Sequence, residues 1–283
     1  MKYAQFQLFD IRYLKAAFIF LLMAGFTIGC ETSEVQELPE RNFELTWSDE
    51  FEGEANELPN PQNWTFDLGA GGFGNEELQT YTKDTSNVAL DGEGNLVITA
   101  RSNGNSFTSA RIKTQGLFSQ AFGRFEARMK TPFGPGIWPA FWMLGSNIEE
   151  VGWPQTGEID LMEMRGQEPN IVHGSVHGPG FSAGNAITKA FGLENDRFDA
   201  EFHIYAIEWF PDRIDFFVDD FLYQRITKNQ VENELEEEWV FDKPFFILLN
   251  VAVGGTFVGF PTDDTPFPQT MIIDYVRVSR LAN

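Results

Sequence analysis

Three carboxylates stand close together in Thr156-Gly157-Glu158-Ile159-Asp160-Leu161-Met162-Glu163, spaced by large apolar side chains. In a regular strand, side chains alternate between faces, so Glu158 and Asp160 would share one face and Glu163 would join Ile159 and Leu161 on the other. A carboxylate in that apolar layer is costly. In a helix, Glu158 and Glu163 would point about 140° apart, too far to converge on one bound molecule. One extra residue at Leu161 or Met162, a β-bulge, resets the alternation and brings all three acids onto one face. Like charges so close drive one carboxyl towards its protonated form, leaving an acid beside an ionised group. Glycosidic cleavage uses that pairing. An acidic edge strand in water would explain the charges but not the glycine-rich and aromatic segments around them.

Those segments read as the rest of a cleft. Gly69-Ala70-Gly71-Gly72-Phe73-Gly74-Asn75-Glu76 lacks the basic residue and helix of a phosphate cradle, and its glycines would let backbone lie close to a ligand, with Asn75 and Glu76 as polar contacts. Trp138 and Trp142, in Gly136–Leu144, and Trp153, in Gly152-Trp153-Pro154, are candidate platforms for the C–H faces of sugar rings. Trp142 lies in an apolar run that also fits core packing. Val172–Gly178 carries His173 and His177 on one strand face, with no third metal ligand evident, so His177 is read as a sugar-hydroxyl partner. Asn250 is the one polar residue in the apolar strand Phe245–Val253 and needs partners from a neighbouring strand or a ligand. Arg124 begins the alternation Arg124, Glu126, Arg128, Lys130 against Phe125, Ala127, Met129, and is counted among the candidate substrate contacts.

The remaining chain supplies many short strand-like runs. These include Phe43–Phe51, Leu96–Ala100, Ser109–Thr114, His203–Trp209, a hairpin Ile214–Val218 and Phe221–Ile226 turning at Asp219-Asp220, and Met271–Val278. With 283 residues, 26 Gly and 14 Pro, the chain suits one large β-sandwich. Residues 1–29 read as a lipoprotein signal peptide: Lys2, Arg12 and Lys15 are basic, Ala16 to Phe26 is apolar, and Thr27-Ile28-Gly29-Cys30 resembles a processing site that ends in the lipidated cysteine. Thr27 stands where Leu is usual. The apolar run is short for a ~20-residue membrane span. Cys30 is the single cysteine, so no disulfide is expected in the mature domain. Residues 30–42 read as an acidic tether and 43–283 as the catalytic domain. A net charge of −22 disfavours nucleic acid and anionic polymers and suits a neutral polysaccharide. The protein is expected to be an exported monomer, attached to the outer membrane by its lipid and facing the periplasm or the outside, or else secreted.

Taken together, Gly157–Glu163, Trp138-Pro139-Ala140-Phe141-Trp142, Gly74-Asn75-Glu76, Leu249–Gly255 and Asp274-Tyr275-Val276-Arg277-Val278 resemble glycoside hydrolase family 16 over about residues 43–279. The resemblance is strongest to the bacterial laminarinase branch, the endo-β-1,3-glucanases. It implies a concanavalin A-like β-jelly-roll of two curved antiparallel sheets with a concave substrate cleft. It also implies a retaining mechanism with Glu158 as nucleophile, Asp160 tuning it, and Glu163 as general acid and then base, without a cofactor in catalysis. A structural calcium is implied at Glu50, the Gly94 carbonyl and Asp274. The extra residue after Asp160 matches laminarinases and not the lichenase form, which implies β-1,3-glucan. Thr256-Phe257 departs from the family's Asn-Trp, so the outer subsites are expected to differ. Other specificities remain open: mixed-linkage β-1,3-1,4-glucan, agar or carrageenan, the last needing a basic groove from Arg111, Arg124 and Arg128. So does transglycosylation. A glucan-binding protein without catalysis is disfavoured because both glutamates are present.

Overall fold

Strict alternation builds the sheets. In Gly123–Lys130, Phe125, Ala127 and Met129 are fully buried while Arg124, Glu126, Arg128 and Lys130 look outward, the period-two pattern of a strand with one face on a core. The structure, a computed structural model, describes residues 38–104 and 106–282. Residues 1–29, expected to be a signal peptide, and Cys30 lie outside the described residues.

Among the described residues the strands are, in chain order, β1 Phe43–Asp49, β2 Thr65–Asp67, β3 Gln79–Tyr81, β4 Val88–Leu90, β5 Leu96–Asn103, β6 Ser106–Ser109, β7 Arg111–Lys113, β8 Gly123–Lys130, β9 Ile137–Gly145, β10 Glu158–Met164, β11 Ile171–His177, β12 Ile187–Gly192, β13 His203–Phe210, β14 Arg213–Val218, β15 Phe221–Thr227, β16 Phe245–Val253 and β17 Gln269–Leu281. One sheet has the order β15-β14-β13-β8-β17-β5-β6-β3, with β1 also on β17 and β4 on β5. The other has the order β12-β11-β10-β9-β16-β7-β2. Pairing is antiparallel except between β3 and β6. This is the expected jelly-roll sandwich of two antiparallel sheets.

The core lies between the sheets. Phe125, Ile207, Trp209 and Phe216 from the larger sheet meet Phe141, Met143, Ile159, Leu249 and Val251 from the smaller one. Every residue of β16 is buried, and Asn250 and Ala252 on its second face lie beneath the cleft. The Asp219-Asp220 turn has φ of 48° and 65°, the left-handed pair that a tight hairpin between twisted strands requires.

Two expectations change. Ser109–Thr114 is not one strand: the chain breaks at Ala110, and β6 joins the larger sheet while β7 joins the smaller. Arg41 and Asn42, assigned to the tether, belong to the folded unit Glu40–Asn283. Arg41 pairs with Glu208 and lies 4.9 Å over the Phe210 ring, and the Asn42 carbonyl accepts from Ala282 N–H at 2.9 Å.

Candidate active site

The bulge forms where the carboxylates require it. Asp160 pairs with Trp142 of β9 and Glu163 with Ala140, yet Met162 already faces Phe141, so Leu161 is passed over in that ladder. Against β11, Leu161 and Met162 together occupy the single step between Ser175 and His173. Both enter the core, at 2% and 0% exposure, which turns Glu158, Asp160 and Glu163 to the same outer face. Gly174 at that step has no side chain to clash with Tyr223 and Phe216 of the opposing sheet.

These carboxylates lie in a cleft of about 730 Å³, walled by Asn75, Arg111, Trp138, Trp142, Trp153, His177, Asn250 and Phe257. Trp138 donates its indole N–H to Glu163 Oε1 at 2.9 Å, and Trp153 donates to Glu158 Oε2 at 3.1 Å. His177 Nε2 lies 2.9 Å from Asp160 Oδ2 and 3.6 Å from Glu158 Oε1. Burial pushes Glu158 well above the usual carboxylate range, and the charge of Asp160 pushes it further. Burial likewise raises Asp160, opposed by its hydrogen bond with Glu158. Two buried, hydrogen-bonded carboxyls titrate as a pair that retains one proton between them. Glu163 is raised to about 8, first by burial and then by the charge of Asp160, against the Trp138 N–H, His177 and Arg165. At neutral pH the strand therefore carries a protonated Glu163 beside two coupled carboxyls that burial also drives towards the neutral form.

Most of the expected contacts converge here. Trp142 lies on the cleft floor, not in the core, and its N–H donates to Asn250 Oδ1 at 2.8 Å; that bond answers how Asn250, 3% exposed, is satisfied. Asn75 reaches the cleft from the glycine-rich loop, whose Gly69, Gly71, Gly72 and Gly74 all have positive φ. Its carbonyl accepts from Thr256 N–H at 2.9 Å, closing the wall beside Phe257.

Arg124 does not converge. It projects from the outer face of the larger sheet, where it pairs with Glu126 at 2.7 Å, Asp220 at 3.1 Å and Glu208 at 3.5 Å. Even-numbered residues of β8 face away from the sandwich, so neither Arg124 nor Arg128 can reach the cleft, and no basic groove with Arg111 exists. The calcium set is not assembled either. Both Glu50 oxygens accept from Arg277 at 2.9 and 2.7 Å, and Asp274 accepts from Arg128 at 2.5 Å. With each carboxylate turned to its own guanidinium, Glu50, Gly94 and Asp274 as arranged do not fit a calcium cage.

Sequence reasoning missed Glu77 and named Arg111 and Phe257 without placing them beside the catalytic strand. Glu77, 7% exposed, accepts from Gln79 Nε2 at 2.6 Å and the Tyr81 hydroxyl at 3.2 Å, and lies 3.7 Å from Arg111. Arg111 lies 4.7, 4.9 and 5.1 Å from the Phe73, Tyr81 and Trp142 rings, so it braces the floor under Trp142. Phe257 stands 5.2 Å from Trp138 and 4.5 Å beneath Arg165. The alternation of Arg111 with buried Ile112 was the available sign that Arg111 shares a face with the cleft.

A trough across a β-sandwich, floored by indoles and carrying a protonated acid beside a coupled carboxyl pair on one strand, is the site of a glycosidase. More particularly, the chain belongs to the glycosyl hydrolases family 16, whose family model matches residues 75–277. It is 41% identical over 247 residues to the beta-glucanase of Rhodothermus marinus, a match that covers 84% of this chain and 86% of that one. The laminarinase catalytic domain of Thermotoga maritima superposes with a TM-score of 0.80 at 45% identity, covering 86% of this chain and 100% of that one. The endo-beta-1,3-glucanase of Pyrococcus furiosus does so at 0.81 and 46%, covering 87% and 98%.

Proposed function

We propose that the protein is an endo-acting β-1,3-glucanase that cleaves laminarin-like polymers with retention of configuration. The observation that carries this is the bulge at Leu161-Met162, which presents Glu158, Asp160 and Glu163 together to an indole-lined cleft. In the first step Glu163, protonated at neutral pH, gives its proton to the departing glycosidic oxygen while Glu158 attacks the anomeric carbon. Attack requires the proton shared by the pair to reside on Asp160 at that moment, which leaves Glu158 its charge. In the second step Glu163, now ionised, takes a proton from water, which displaces Glu158 from the sugar. Trp138 and Trp153 hold Glu163 and Glu158 through their N–H groups and offer their rings to the sugar faces.

The neutral-substrate reading rests on the cleft cations. Arg111 is matched by Glu77 and Asp67, and Arg165 by Glu168 at 3.4 Å, so neither is free for a sulfated chain. The relatives named beta-glucanase, laminarinase and endo-beta-1,3-glucanase support the same polymer. Release of reducing ends from laminarin, compared with lichenan, agarose and carrageenan, tests it. The greatest rate is expected on laminarin, with the β-anomer appearing first by proton NMR, and equal or greater release from agarose or carrageenan would contradict the proposal.

Attachment through Cys30 is part of the same proposal, and Cys30→Ser should abolish incorporation of labelled palmitate in an expressing cell. The calcium implied at Glu50, Gly94 and Asp274 would first have to open two arginine pairs. The present arrangement predicts a melting temperature unchanged by added calcium, and a rise would mean that the pairs open.

A further inference from the structure

His177 has a feature that sugar binding does not require. The backbone N–H of Ala183 donates to His177 Nδ1 at 3.1 Å, so Nδ1 must offer its lone pair and the ring hydrogen of the neutral imidazole is on Nε2. Nε2 itself lies against the catalytic pair, 2.9 Å from Asp160 Oδ2 and 3.6 Å from Glu158 Oε1. Asp160 Oδ2 is buried with no aligned hydrogen-bond donor, and the His177 ring nitrogen is the polar group held close to it. Ala183 is itself unusual. It opens the short 3-10 turn Ala183–Asn185 with φ of 49°, a left-handed conformation that an alanine adopts only under strain. Strain at the residue that delivers the amide, in a turn lining the cleft, marks the contact as built.

We propose that His177 is a positioning residue: the Ala183 amide locks it as the Nε2–H tautomer, and it holds the Glu158–Asp160 pair in its singly charged form. This rests on the glucanase reading above. The titratable groups facing Glu158 are Asp160, His177 and Glu163, while Trp153 and the Ala183–Asn185 turn bring uncharged donors. A donor fixed against the pair stabilises its negative charge and keeps Glu158 available as nucleophile. The lock also decides a question of metal chemistry. Ligand atoms of Glu158, Asp160 and His177 lie within 4.8 Å of one another, a spacing that a metal ion could use. A ligating imidazole, however, donates its other N–H to an acceptor, whereas here the other nitrogen meets a donor. The set does not fit a metal.

The direct test is the imidazole nitrogen spectrum of the ¹⁵N-labelled protein at neutral pH, with His177 assigned by its loss in His177→Gln. A pyridine-type Nδ1 and a pyrrole-type Nε2 are expected, and the opposite tautomer overturns the proposal. In kinetics on laminarin, His177→Ala should lower kcat/KM about 10- to 100-fold, the size of one hydrogen bond to a charged group, with most of the loss in kcat. Its acidic limb should move to higher pH. His177→Gln, which keeps an N–H donor, should recover part of both. A rise in KM alone, with the acidic limb in place, would make His177 only a sugar contact. Calorimetry with zinc ion should show no binding that depends on His177, and such binding would contradict the lock. If the wild type leaves laminarin intact, the glucanase reading fails while the nitrogen spectrum still reports on the lock.

Discussion

Acidic residues occupy both outer surfaces of the sandwich, in two different electrostatic settings. On the larger sheet, Asp215 is 0% exposed and accepts from Arg225 at 2.6 and 2.8 Å and from Arg213 at 3.3 Å. Glu50 is held below the usual carboxylate range by the Arg277 guanidinium. On the smaller sheet, Asp160 is nearly as buried, but the partners of the three cleft acids are indole N–H groups, an imidazole and one another. Burial favours the neutral carboxyl, as in the cleft, and a nearby cation opposes that preference, as Arg277 does at Glu50. The larger sheet neutralises its acids with arginine and gains a structural network, whereas the cleft neutralises them with protons that can be transferred.

Removing a cleft carboxylate should have the largest effect. Glu158→Gln is expected to lower kcat on laminarin by about 10⁴-fold or more while leaving oligosaccharide affinity within a few-fold, measured by steady-state kinetics and calorimetry. A residual rate near that of the wild type would place the nucleophile elsewhere. The matching change on the larger sheet, Asp215→Asn, should instead cost roughly 1.5–3 kcal/mol of stability by chemical denaturation and leave kcat/KM and its pH profile unchanged.

Proton-based neutralisation also has a signature in stability. The folded-state pKa of Glu163 lies above its unfolded value, so the folded protein binds more protons between about pH 4.5 and 8, and this contribution to stability is lost as pH rises through about 8. Glu163→Gln is therefore expected to melt higher than the wild type at pH 9 by several degrees, with the difference vanishing near pH 4. A constant difference across that range would mean that Glu163 is already ionised in the folded protein. For kcat/KM the basic limb should fall near pH 8, where Glu163 loses the proton it must donate. The smallest effect sharpens the comparison furthest. The Trp138 N–H favours the charged form of Glu163, so Trp138→Phe should move the basic limb to higher pH by less than about one unit. A downward shift would contradict the assigned hydrogen bond.

Particular residues show what the sequence made legible. The bulge was readable because no regular element could keep Glu163 out of the apolar layer, and the Asp219-Asp220 hairpin because two strand-like runs meet at residues that tolerate left-handed backbone. Arg124 was misplaced for a physical reason: alternation says which residues of a strand share a face, but not which sheet the strand joins. Trp142 was obscured because the cleft floor of β9 and β16 is nearly as apolar as the core, so an apolar run fits either position. Glu77 and Phe257 come from loops whose path over the cleft depends on contacts far apart in the chain, and Arg41 looked like tether because its partner Glu208 is equally remote.

The central claim is that Glu158 attacks the sugar while Glu163 supplies the proton from the same face. Inactivation with a 2-deoxy-2-fluoro β-1,3-gluco-oligosaccharide carrying a good leaving group, followed by mass spectrometry of the digested protein, tests this most directly. The account predicts a single glycosyl adduct on Glu158, formed more slowly when the inactivator's leaving group needs protonation and Glu163 is replaced by Gln. An adduct on Glu163 or Asp160, or turnover to products of inverted configuration without any adduct, would contradict it.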